Sequence, residues 1–114
     1  MLQDCIFCKI STGETVGNIL YRNDSCFVIK DIAPRAPTHL LVIPLEHFTC
    51  LVDTVSNHHL VVESMFKVAQ KMAQRNGLGK TGYRIVVNQG DDAGQQVDHI
   101  HMHVLGGRSL GEMG

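Results

Sequence analysis

Three histidines separated by single apolar residues, His99-Ile100-His101-Met102-His103, leave this chain few ways to fold. In an extended strand successive side chains point to opposite faces, so the imidazoles share one face while Ile100, Met102 and Val104 take the other. Val, Thr or Ile would suit an ordinary sheet position better. The pattern is therefore read as a strand, Asp98 to Leu105, with a core face and a chemical face. Imidazole there can be nucleophile, proton carrier, hydrogen-bond donor or metal ligand, with an unperturbed pKa of about 6.5.

Such a strand needs partners, and the sequence offers several. Asn18 to Arg22 and Cys26 to Lys30 favour β structure and flank Asn23-Asp24-Ser25, a turn composition, which predicts a hairpin. The two-proline segment Asp31 to Pro37 breaks the pattern, and His39 to Ile43 then reads as a buried strand closed by Pro44. With Ser56 as N-cap, Leu60, Val61, Ser64, Met65, Val68, Ala69 and Met72 recur at helical spacing until Gly77 and Gly79. A further strand, Gly82 to Asn88, is separated from the histidine strand by the turn-rich Gln89 to Gly94. An antiparallel sheet backed by one long helix, an α+β arrangement, satisfies all of these.

Length and charge bound the function. A chain of 114 residues, 44% hydrophobic and 18% charged, is expected to form one domain over 1–114, with the glycine-rich Gly106 to Gly114 as a short flexible tail. A net charge of −1 supplies no basic field, which argues against a nucleic-acid partner and for a small one. The apolar run Leu40 to Pro44 is far too short to cross a bilayer, and no basic region followed by an apolar run opens the chain, so a cytoplasmic protein is expected. There, four cysteines are thiols or metal ligands rather than disulfides. Cys26 and Cys50 are read as plain buried residues, His58 and His59 as solvated.

Two chemistries compete for the histidine run: a catalytic zinc held by two or three imidazoles, or a metal-free phosphoryl site. Gly90, Gly94 and the amides leading into Gln95-Gln96-Val97 can form an anion-binding concavity, which favours phosphate. Cys5-Ile6-Phe7-Cys8 has no second cysteine pair, so redox chemistry or a mixed Cys/His zinc site remain, with seven histidines available to complete the latter.

The run His99-Ile100-His101-Met102-His103-Val104-Leu105 resembles the His-x-His-x-His-x-x signature of the histidine triad family. The likeness extends through Ile6 to Ile10, Asp31 to Pro34, Pro37-Thr38-His39, Asn88, Gly94-Gln95 and Gly106-Gly107-Arg108, and is to the nucleotide-binding phosphoramidase branch. It implies an antiparallel sheet of about five strands packed with one long helix and a short N-terminal helix. It also implies a homodimer, for which Val61, Val62 and Met65 are candidate contacts.

What the resemblance implies of activity is a hydrolase that cleaves purine nucleoside 5′-phosphoramidates, AMP or GMP joined to an amine, at the α-phosphate. His101 would be the nucleophile, forming a nucleotidyl-histidine intermediate. His39 and His103 would flank the phosphate as donors, and the carbonyl of His99 would fix the tautomer of His101. Asp31 would accept both ribose hydroxyls. Ile6, Phe7, Ile10, Ile29 and Leu41 match the base pocket. Asn88, with the backbone near Gln95, Gln96 and Val97, matches the phosphate loop. Some members with an early C-x-x-C carry a structural zinc, whose ligands would here be Cys5, Cys8, His47 and His99. Gln96 and Asp98 depart from the serine and tyrosine common in such relatives, and the tail is short. A dinucleoside polyphosphate hydrolase or nucleotidyl transferase, or a non-catalytic nucleotide-binding module, are the alternative readings.

Overall fold

In a computed structural model describing residues 5–55 and 57–114, one antiparallel sheet separates two apolar layers. Its strands are β1 (Tyr21–Arg22), β2 (Cys26–Lys30), β3 (Thr38–Pro44), β4 (Tyr83–Val86) and β5 (Met102–Gly106), in the order β1-β2-β3-β5-β4. Helix α1 (Ile6–Thr12) lies on one face and α2 (His58–Arg75) on the other.

The period of two decides which residue meets which helix. Cys26 and Val28, Leu40 and Val42, and Met102 and Val104 pack with Met65, Val68, Ala69, Met72 and Ala73 of α2. The alternate set, Phe27, Ile29, Leu41 and Ile43, packs with Phe7 and Ile10 of α1. Sheet register completes the arrangement: Leu41 pairs with Ile29 on one side and with His103 on the other. An apolar wall and the catalytic candidates are thus neighbours on one face.

Helix α2 ends at a hydrogen-bonded cap, with Gly77 N–H to the Gln74 carbonyl and Leu78 N–H to the Ala73 carbonyl, and Leu78 turns back into the core. Asn57 is its N-cap without a side-chain hydrogen bond; Ser56, the cap expected from sequence, lies outside the described residues.

Several expectations need correction. The histidine strand starts at Met102 rather than Asp98, because the segment before it is held by other contacts, including Ile100 N–H to the Phe48 carbonyl. That strand runs on to Gly106, the first residue read as tail. β4 is shorter than Gly82 to Asn88, since Val87 and Asn88 leave the ladder towards the glycine loop. Leu60 is exposed although it fits the helical period, and Met65, 1% exposed, is core rather than available to a second subunit. His58 is buried rather than solvated: its ring stacks on Phe48 at 4.1 Å, its Nε2 meets Glu46 and its Nδ1 accepts from Val55 N–H.

Candidate active site

The loop between β4 and β5 needs conformations that only glycine adopts without strain. Gly90 has φ 82° and ψ −179°, and Gly94 has φ 78°. Gln95 closes this loop. Its side-chain oxygen accepts from Gly90 N–H at 2.9 Å and from the Cys50 thiol at 3.2 Å, and its Nε2 donates to the carbonyls of Thr49 and Val97 at 2.9 and 3.1 Å. Every valence of that amide is used, so Gln95 shapes the loop and its side chain does not reach into the cleft that Asn88, Gln96 and Val97 line.

That cleft, of about 910 Å³, runs across the sheet between α1 and the glycine loop. Ile6, Phe7, Ile10, Ile29 and Leu41 form its apolar wall, and Asp31, His39, His101 and His103 line it as well. His99 does not; its imidazole is fully buried in a separate cluster.

The hydrogen bonds assign each imidazole a tautomer. His101 Nδ1 donates to the carbonyl of His99 at 2.9 Å, which leaves Nε2 with its lone pair. His39 Nδ1 accepts from Arg35 N–H at 3.1 Å, so its proton is on Nε2. That proton points at His103 Nδ1, 2.9 Å away, and His103 is left with an N–H at Nε2. Asp31 holds its own loop through Ala33 N–H and places its other oxygen 3.3 Å from His39 Nε2.

Burial lowers His39 below the usual histidine range, against the opposing charge of Asp31. Burial, reinforced by His101 and His39, lowers His103 to about 4. All of this favours neutral imidazoles around one open lone pair at pH 7, a nucleophile beside donors.

A second cluster lies behind the first. Cys5 caps α1, its sulfur accepting from Cys8 N–H, so the C-x-x-C spacing is one helical turn that turns both sulfurs to one side. His99 Nε2 donates to the Pro44 carbonyl at 2.8 Å, which frees Nδ1. Around that nitrogen stand Cys5 Sγ at 3.3 Å, Cys8 Sγ at 3.6 Å and His47 Nδ1 at 3.1 Å, with Cys8 Sγ 3.4 Å from His47 Nδ1.

A tetrahedral zinc with bonds of about 2.3 Å to sulfur and about 2.0 Å to nitrogen holds its ligands roughly 3.3–3.8 Å apart. The four donors fit that geometry, and their softness suits zinc. Burial, with Cys5 beside it, pushes the Cys8 thiol up to about 11, so a dication that binds here must displace its proton. Asp31, His39 and His103 also bring donor atoms together. Their two histidines are already joined by a shared proton, which suits an anion better than a cation.

Sequence reasoning passed over Arg35, Arg84 and residues 110–114, all of which line the cleft. Arg84 donates to the Gly111 carbonyl at 3.0 Å and Arg108 to the Arg35 carbonyl at 2.7 Å, fixing where the last residues run. A lone arginine between two prolines was the available signal for Arg35.

The HIT domain model matches residues 12–110. Over 113 residues the chain is 41% identical to a purine nucleoside phosphoramidase of Escherichia coli, covering 99% of this chain and 95% of that protein. A HIT family hydrolase from Clostridium thermocellum superposes with TM-score 0.93 at 38% identity, over 99% of this chain and 98% of that one. A Zn-bound histidine triad family protein from Mycobacterium smegmatis superposes with TM-score 0.81 at 36% identity, over 95% and 78%. With the family model spanning residues 12–110 and His101 and His103 of the histidine run lining the cleft, this protein belongs to the HIT domain family.

Proposed function

We propose that this protein hydrolyses purine nucleoside 5′-phosphoramidates at the α-phosphate, through a covalent intermediate on His101. The observation that carries the reading is the Nδ1 hydrogen bond of His101 to the carbonyl of His99, which leaves Nε2 as a free lone pair on the cleft side. The base would lie against Ile29, Leu41 and Phe7, the ribose hydroxyls at Asp31, and the phosphate between His101, the His39–His103 pair and the loop of Asn88, Gln96 and Val97.

In the first step the bond from His101 Nε2 to phosphorus forms as the phosphorus–amine bond breaks. The phosphate anion opposes the desolvation that keeps His39 and His103 neutral, so one of them gains a proton from solvent and passes it to the departing nitrogen. In the second step water attacks phosphorus, the His101 bond breaks, and the neutral histidine pair takes up the water proton. A structural zinc held by Cys5, Cys8, His47 and His99 would cross-link α1 to the segment entering β5 and take no part in these steps. Half-buried Val62 and exposed Phe66, one helical turn apart on α2, support a homodimer.

Steady-state hydrolysis of an adenosine 5′-phosphoramidate by wild type and His101→Ala tests the reading. The expected result is loss of turnover by at least about 10³-fold in the variant, with nucleotide binding retained. Substantial turnover by His101→Ala would sink it.

A further inference from the structure

Among the described residues the cleft is lined by Lys30, Arg35, Arg84 and Arg108 and by two residues with carboxylate side chains, Asp31 and Glu112, in a chain whose net charge is −1. Asp31 is engaged with Ala33 N–H and His39. Arg84 and Arg108 are tied to backbone carbonyls. Arg35 differs from both. Its backbone is fixed at each end, the N–H on His39 Nδ1 and the carbonyl under the Arg108 guanidinium. Yet its own exposed guanidinium has no hydrogen-bond or ion-pair partner among the described residues. It lines the cleft together with His39 and His103 and bonds the His39 ring through its own N–H, so it stands beside the pair that would meet the phosphate. Lys30 is also without a partner among the described residues, but by the alternation of β2 it falls on the side of Cys26 and Val28, which pack with α2.

The cleft therefore has polarity along β3. Leu41 and Ile43 face α1 at one end, and His39 leads into the Arg35 loop at the other. A nucleotide whose base lies on the apolar wall directs whatever is attached beyond phosphorus away from that wall. We propose that Arg35 is a specificity determinant that selects phosphoramidates whose departing amine carries an anionic group, a carboxylate or a phosphate. The proposal rests on the phosphoramidase reading above. A guanidinium held at its backbone loses less freedom on pairing than a loose one, and its planar fork matches either anion.

The test compares kcat/KM for AMP joined through nitrogen to glycine, to 2-aminoethyl phosphate and to neutral 2-aminoethanol, in wild type, Arg35→Gln and Arg35→Glu. Wild type is expected to favour at least one anionic substrate by about fivefold, the scale of an exposed charge-assisted pair. The larger of the two preferences identifies the acid. Arg35→Gln should bring the anionic-to-neutral ratio close to one, and Arg35→Glu below it. A ratio unchanged in Arg35→Gln, or an equal fall on all three substrates, overturns the proposal and leaves the phosphoramidase reading intact. Turnover of the neutral substrate without discrimination by wild type does the same. No turnover of any substrate by wild type overturns both.

Discussion

His103 is held neutral by its surroundings, and this has a consequence for stability as well as chemistry. Its pKa falls from the ordinary value near 6.5 to about 4 on folding, through burial and the neighbouring His101 and His39. Between those values the unfolded chain binds the extra proton, so stability is greatest above about pH 6.5 and declines as pH falls through about 4. The full effect is on the order of 3 kcal/mol. Urea midpoints measured from pH 7 to pH 4 should fall for wild type and fall less for His103→Gln; parallel curves would contradict this. Gln95 makes a second prediction at the same scale. Gln95→Ala removes four hydrogen bonds at about 1 kcal/mol each in the most favourable case, and is expected to cost roughly 2–3 kcal/mol. Because the loop it closes presents Asn88 and Gln96, KM for the nucleotide should rise too. Gln95→Glu does not rescue, since a carboxylate cannot donate to the Thr49 and Val97 carbonyls.

Within α2, two adjacent residues separate core from surface. Met65 is 1% exposed and packs on the sheet, whereas Phe66 is 50% exposed. Met65→Ala should cost about 3 kcal/mol in chemical denaturation through the lost transfer energy and the cavity it leaves. Phe66→Glu should leave the fold of the single chain in place and shift sedimentation towards monomer, in keeping with the proposed dimer. An unchanged sedimentation profile would remove Phe66 from that interface.

For the whole molecule, the cysteine–histidine cluster is the point where distant parts of the chain meet. It joins α1, which carries part of the base wall, to Pro44 at the end of β3 and to the segment entering β5. Cys8→Ser is expected to lower bound zinc, measured by atomic emission, from about one equivalent to near none. Amide exchange over residues 6–12 should speed up at the same time. Since Phe7 and Ile10 move with α1, nucleotide KM should rise by a larger factor than kcat falls. Full zinc content in Cys8→Ser would rule out the four-ligand assignment.

Alternation along β2, β3 and β5, the helical period of α2 and the spacing of the histidines and cysteines were set by local sequence. These rules act over two to four residues, and from them the α+β sheet and its two faces could be read directly, while the resemblance to the histidine triad family came from matching motif residues. Helical spacing did not reveal that Leu60 is exposed and His58 buried, because their environments come from β-strand and loop residues that the period does not contain. Periodicity gives no tautomers either; the one at His101 was implied by the family resemblance, and the one at His99 was not anticipated. The free lone pair of His101 and the free Nδ1 of His99 depend on carbonyls presented by backbone geometry, one of them 55 residues away in sequence. Tertiary structure alone decided that Gln95 braces the loop it was expected to present, and that Arg35 stands beside the histidine pair. Charge and hydrogen-bond partners act through distances in space, and the fold is what sets those distances.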